Sequence, residues 1–224
     1  MNITWLELQT RDLQAQADYY AHVLGLSVNR SATNLEVQAG RTMLVFLQAD
    51  SGFDGAYHFA FNIPENQFRT AKEWIASRTA LIRDEKGYDE FNSSSWNATS
   101  LYFKDLAGNI LELIARHALK NAAEEGFNSS QILNVSEIGL PSQDVISFAD
   151  EICTKLDLSV FHQKPNEKFT PVGDDDGLLI LPIVDRIWYP NTGIPAKMLP
   201  VRVELESDGK HCEIRGVPYH ITAN

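Results

Sequence analysis

One spacing recurs along this chain and restricts its fold more than any other feature. A short strand with alternating inward and outward residues is followed, seven residues after its first residue, by an acidic residue near the start of an amphipathic helix. Trp5 is followed by Asp12, His58 by Glu65, and Glu137 by Asp144. In the first copy Leu6, Leu8 and Thr10 alternate with Trp5, Glu7 and Gln9, the period of a strand with one face in the core. Leu13, Ala17, Tyr20 and Leu24 then fall at helical spacing, with Asp12 as N-cap and Gly25 placed to end the helix. Strand patterns follow at 35–39 and 43–47.

The second copy repeats the order. Phe59, Phe61 and Ile63 share one face of a strand, and His58, Ala60 and Asn62 the other. Pro64 and Glu65 are expected to open a helix with the stripe Phe68, Ala71, Ile75, and strands follow over 100–104 and 109–114. Between those strands Asp105-Leu-Ala-Gly108 reads as a hairpin turn, with Asp capping and Gly at positive φ. The third copy starts at Glu137, carries Val145, Phe148, Ile152 and Leu156 as its helical stripe, and has strand patterns at 169–172 and 178–184. A fourth begins at Pro200 but lacks a helix, and Ser207-Asp-Gly209 is expected to turn the chain straight back. Self-similarity at this period marks a modular fold. The expected organisation is two complete copies (1–53 and 54–118) forming a unit over 1–118, a polar linker over 119–130 after a short helical tail, with a boundary near residue 125, and a third copy plus a truncated fourth over 131–224.

Composition narrows the functional classes. A net charge of −11 supplies no basic excess for phosphates, so nucleic acid is not an expected partner. No apolar stretch reaches the length of a membrane span, and no basic-then-apolar leader opens the sequence, so neither a membrane nor secretion is expected and a cytoplasmic location follows. Cys153 and Cys212 have no metal or redox spacing and read as two reduced, buried thiols. Gly173-Asp-Asp-Asp-Gly177 lacks the spacing of a calcium loop and reads as a charged turn.

Glu112 is the most informative single residue. It stands inside the apolar run Ile110-Leu-Glu-Leu-Ile114, where a carboxylate must be paired, protonated or bound to a cation. His58 is the second ionisable residue in an otherwise apolar strand.

Two segments resemble the vicinal oxygen chelate superfamily, which includes glyoxalase I, extradiol ring-cleavage dioxygenases and bleomycin-resistance proteins. Leu8-Gln-Thr-Arg-Asp-Leu…Tyr19-Tyr…Val23-Leu-Gly-Leu26 is similar to that family's opening strand and helix. Tyr102-Phe-Lys-Asp-Leu-Ala-Gly-Asn-Ile-Leu-Glu112 is similar to its closing hairpin and terminal metal-binding glutamate. The resemblance implies an α+β fold of βαβββ modules forming half-open barrels, with a complete N-terminal pair and a degenerate C-terminal pair. It also implies metal ligands at the positions of Trp5, the 43–47 strand, His58 and Glu112. His58 and Glu112 match, but Trp5 replaces the first ligand and 43–47 contains no carboxylate.

Glu7, two residues after Trp5, faces the same side of its strand and can complete a set of His58, Glu112 and Glu7 suited to Mn²⁺, Fe²⁺, Ni²⁺, Zn²⁺ or Mg²⁺. In that reading Glu112 or Glu7 doubles as the catalytic base, and Trp5, Asn62 and Tyr102 contact the substrate. The site then acts as a metal-dependent lyase or dioxygenase on a small oxygenated molecule. The alternative is a metal-free protein that sequesters a small molecule. At the corresponding strand start the third copy has Glu137 and the fourth Pro200, so the C-terminal half is expected to serve packing, dimer mimicry or pocket closure. Arg186, Trp188 and Tyr189 form a polar-aromatic cluster suited to a ligand site or an interface. A homodimer and a monomer both stay open.

Overall fold

The computed structural model describes residues 1–124, 126–206, 212–216 and 218–223. The turn expected at Ser207–Gly209 and the boundary residue 125 lie outside them. The first copy runs β1 (Asn2–Thr10), α1 (Leu13–Asp18), β2 (Ser27–Arg30), β3 (Asn34–Ala39) and β4 (Thr42–Gln48). The second is β5 (His58–Ile63), α2 (Phe68–Ala76), β6 (Phe91–Ser93), β7 (Ala98–Lys104) and β8 (Ile110–Arg116). The third is β9 (Asn134–Gly139), α3 (Val145–Leu156), β10 (Phe169–Asp174) and β11 (Gly177–Pro182). The fourth is β12 (Val201–Glu206), β13 (Cys212–Gly216) and β14 (Tyr219–Ala223). The fold is α+β, with two complete copies followed by two incomplete ones.

Local signals placed most elements. Asp12 accepts from the Ala15 amide at 2.8 Å and Asp144 from Ser147 at 3.0 Å, so both cap their helices. Gly25 takes φ +62 after the first helix, whose last turn widens into a π-helical segment over Tyr19–Val23. Two expectations shift. Pro64 to Gln67 forms a turn closed by Gln67 N–H to Pro64 O at 3.0 Å, so α2 starts at Phe68 and not at Pro64. The helical tail expected after β8 is a turn, and the only helical residues between β8 and β9, among those described, are a 3₁₀ turn at Ser129–Gln131. Strands β2 and β6 were too short and too polar to show in the sequence pattern.

The sheets join the copies in an order the sequence did not reveal. One seven-stranded sheet runs β13-β14-β12-β1-β4-β3-β2, and the other β10-β11-β9-β5-β8-β7-β6. Copy one is therefore continuous with copy four, and copy two with copy three. The complete copies 1–53 and 54–118 do not share a sheet, which corrects their expected pairing. In each sheet two first strands meet antiparallel, β1 against β12 and β5 against β9.

One apolar core lies between the sheets and their helices. Leu6, Leu8, Leu44 and Phe46 of the first sheet and Phe59, Phe61, Leu111 and Leu113 of the second belong to it, with Tyr20, Ile75 and Ile152 from the helical segments. The junction is fixed by polar contacts at the β3–β4 turn. Thr42 Oγ1 donates to Ile3 O at 2.6 Å and accepts from Val135 N–H at 2.9 Å, while Arg41 N–H donates to Leu133 O at 2.8 Å. The hairpin turn behaves as expected: Asp105 accepts from the Ala107 and Asn109 amides, and Gly108 takes φ +85. Asp105 is also buried and accepts from Gln16 Nε2 at 2.7 Å and Tyr20 OH at 3.2 Å, so the turn of copy two is tied to the helix of copy one. Cys153 and Cys212 are free thiols, but half-buried rather than buried. Among the described residues no helix is long and apolar enough to cross a membrane.

Candidate metal centre

The second sheet curls into a half-barrel, and the alternating residues of its strands point into the concavity. β5 presents His58, β8 presents Glu112 and β9 presents Glu137. Each contributes a donor atom lying within 4.8 Å of the others, and all three residues are buried. Strand register produces this grouping. Glu112 lies across from Ala60 in the parallel β5–β8 pair, and Glu137 lies across from Ala60 on the other side. The small Ala60 leaves the space in which the two carboxylates and the imidazole converge.

The tautomer of His58 follows from its partner. Nδ1 lies 3.1 Å from the Ile110 carbonyl, which can only accept, so the proton is on Nδ1 and the lone pair of Nε2 faces the pocket. Nε2 is 3.6 Å from Glu112 Oε2. Burial lowers the His58 pKa to about 4. Burial, with the charge of Glu137 added, pushes Glu112 well above the carboxylate range, against the smaller pull of the adjacent Ser100, Arg116 and Tyr102. Without a cation the imidazole is neutral, burial favours the protonated form of Glu112, and the two do not make an ion pair. Glu137 is raised by burial but held back by Arg116, whose Nη2 donates to Glu137 Oε1. Burial keeps the Tyr102 phenol protonated beside Glu112.

A neutral buried histidine has a measurable consequence. Its folded pKa is depressed, so protons favour the unfolded chain, and its contribution is complete above pH 6.5 and lost as pH falls towards 4. In chelator-treated protein, wild type should lose about 3 kcal/mol more than His58→Gln between pH 7.5 and 4. The Glu112 contribution has the opposite sign but is common to both proteins. Urea denaturation at several pH values measures the difference, and parallel pH profiles would mean that His58 is not held neutral.

The donors open into a pocket of about 360 Å³ lined by Phe91, Trp96, Tyr102, Phe169, Trp188 and Tyr189 among others. Trp188 closes one side, its ring 5.1 Å from that of His58. Arg186, Trp188 and Tyr189, the cluster seen in the sequence, all line this pocket.

Two structural neighbours bear on what this frame is. A Bacillus subtilis protein provisionally named a dioxygenase matches 100% of this chain and 85% of its own, with a TM-score of 0.65 at 14% identity. Glyoxalase I from Zea mays matches 99% of this chain and 91% of its own, with a TM-score of 0.59 at 12% identity. The fold is that of the vicinal oxygen chelate proteins. At these identities the likeness establishes the fold alone. No protein-family model and no curated sequence matches the chain.

Within this vicinal oxygen chelate fold the remaining expected residues separate. Glu7 does not join His58 and Glu112: β1 belongs to the other sheet, and Glu7 lines a shallow depression with Pro200, Arg202 and His220. Its place in the expected set is corrected by Glu137. Trp5 is on that other sheet too, away from the pocket. Asn62 is on β5 but does not line the pocket, because its Nδ2 donates to Asp175 O at 3.0 Å. Tyr102 lines the pocket as expected.

The first sheet offers the same frame without the donors. Glu7 there occupies the place of Ala60, flanked by Val45 and Arg202 where Ala60 has Glu112 and Glu137. Trp5 stands for His58, and the fourth-copy counterpart is Arg202 rather than Pro200. Glu137 is legible as an ionisable residue in the first strand of copy three, although that strand starts at Asn134 and not at Glu137 as expected. The expectation that the C-terminal half serves packing, dimer mimicry or pocket closure gave Glu137 no donor role, because its partner strand β5 lies far away in the chain.

Proposed function

We propose that the chain is a divalent-metal protein of the glyoxalase/dioxygenase type, acting as a lyase or ring-cleavage dioxygenase on a small oxygenated molecule. The observation that carries this reading is the convergence of one imidazole nitrogen, already in the tautomer with a free Nε2, and two carboxylates at the floor of an aromatic pocket. His58 would hold the cation through Nε2, and Glu112 and Glu137 through one oxygen each. This donor set suits Mn²⁺, Fe²⁺, Ni²⁺, Zn²⁺ or Mg²⁺. When bound, the cation supplies Lewis acidity to a substrate presenting adjacent oxygens.

The chain's own residues have definite parts. The Ile110 carbonyl fixes the orientation of His58. Arg116 anchors Glu137 by one oxygen, and Ser100 and Tyr102 flank Glu112. Trp188 and the other rings surround the donor group, whose three residues are buried, and low solvent contact strengthens electrostatic interactions there.

A second reading has an observation of its own. Arg116 gives Glu137 a permanent counter-charge, and burial favours the neutral forms of both His58 and Glu112, so the site is satisfied electrostatically as a metal-free ligand pocket. Metal analysis of protein purified without chelator separates the two. The metal reading expects about one equivalent of divalent metal per chain. It also expects a gain of about 2.7 kcal/mol when chelated protein meets the cation at a hundredfold excess over Kd. His58→Ala and Glu137→Gln should abolish both, and Glu7→Ala should abolish neither. Absence of metal, with no stabilisation by any added divalent ion, favours the metal-free pocket. Retention of metal by Glu137→Gln together with loss in Glu7→Ala would reverse the ligand assignment.

A further inference from the structure

The pocket walls carry chemistry that the cation set does not use. Three residues with a formal charge line it: Glu112 and Glu137 belong to the donor group, and the third is Arg186. Glu137 is neutralised by Arg116. Arg186 has no ion-pair partner among the described residues, and its one polar side-chain contact is a long 3.5 Å hydrogen bond from Nη1 to Lys168 O. Its guanidinium carbon lies 4.6 Å from the centre of the Phe169 ring, so this exposed side chain stacks on a ring of the pocket wall. Phe169 stacks in turn on Trp96 (6.3 Å, 26°), and both rings line the same pocket.

A second group of rings lines the same pocket. Phe91, Tyr102 and Tyr189 meet edge to face at 5.1–5.5 Å. Trp188 lies against Gly139, where even a Cβ would come within 2.5 Å of Cη2. That glycine is needed for the close approach of the ring and not for its backbone angles. The result is a flat-walled pocket with the donor group at its floor and an unpaired guanidinium elsewhere on its wall.

We infer that the occupant is a planar aromatic molecule bearing a carboxylate, and that Arg186 is the specificity-determining residue that receives this carboxylate. A pocket lined by this many flat rings selects a planar body. A guanidinium held by stacking presents a fork that matches a carboxylate with two parallel hydrogen bonds. The pocket volume is at the small end for ligand sites, which favours a molecule of one ring or two over a larger one. The inference rests on the pocket being the ligand site of the function proposed above, but not on the cation.

Calorimetric titration with 3,4-dihydroxybenzoate and 3,4-dihydroxybenzamide tests it, because the two probes share adjacent hydroxyls and differ only in the charged group. Wild type should bind the acid about tenfold or more tightly than the amide, as one charge-assisted bidentate contact provides. Arg186→Gln should bring the two affinities within about twofold of each other, mainly by weakening binding of the acid. Equal binding of both probes by wild type, a preference that survives Arg186→Gln, or no binding of either at millimolar concentration would overturn it. The outcomes separate from those of the metal test. A metal-bound protein with no acid preference loses only this inference. A metal-free protein whose preference vanishes in Arg186→Gln loses only the cation.

Discussion

Arg116→Met should cost the metal-free protein about 3–5 kcal/mol, measured by urea denaturation in the presence of a chelator. Arg116 is buried, its Nη2 donates to Glu137, its Nη1 is 3.7 Å from Asp175 Oδ1, and Trp96 and Phe161 cover the guanidinium at 5.6 Å. Methionine fills most of that space but leaves the Glu137 carboxylate buried with no counter-charge. The penalty is mainly that of an uncompensated charge and not of lost packing, which the double variant establishes. Arg116→Met with Glu137→Gln removes both charges and should recover at least half of the loss. If the double variant is no more stable than Arg116→Met, the pairing is not what holds this end of the barrel together. A bound divalent ion would replace the missing charge, so the penalty should shrink when the cation is added to the single variant.

Gly40→Ala should be comparably damaging, at about 3–5 kcal/mol, through a different cause. Gly40 has φ +57, a conformation that carries a penalty for any residue with a Cβ. More importantly, a Cβ there would come within 1.9 Å of the Leu133 carbonyl oxygen and 2.4 Å of that of Ile132. Both atoms are backbone at the junction between the two sheets, so no rotamer change relieves the contact. The adjacent bonds from Arg41 to Leu133 and through Thr42 to Val135 would be strained together. Thermal or urea unfolding of the variant measures the effect, and a loss below about 1 kcal/mol would show that the junction opens easily.

The site was half legible in the chain, for a reason that individual residues illustrate. His58 and Glu112 stood out because an ionisable group in an apolar strand is costly unless it has work to do. Tyr102, expected to face the same pocket, lies across from Glu112 in the β7–β8 pair. Arg116 gave no such signal, since an arginine at the end of an apolar strand reads as the point where the strand meets water. It is buried only because β9 brings Glu137 against it and the β10–β11 turn brings Asp175. Asn62 shows the reverse error: a polar residue on the pocket side of its strand, it is spent on the Asp175 carbonyl instead of a ligand.

By itself the sequence determined what local chemistry determines. Spacing, caps and alternation set the copies, the helices, the turn at Asp105–Gly108, and the face of each strand on which His58, Glu112 and Glu7 lie. The tertiary structure decided which copies share a sheet, and so whether Glu7 or Glu137 stands beside them. A strand's face follows from a two-residue period along one segment, whereas its neighbour follows from hydrogen bonds to a segment far away in the chain. β5 took β9 and not β1, and that long-range choice gave the candidate centre its third donor.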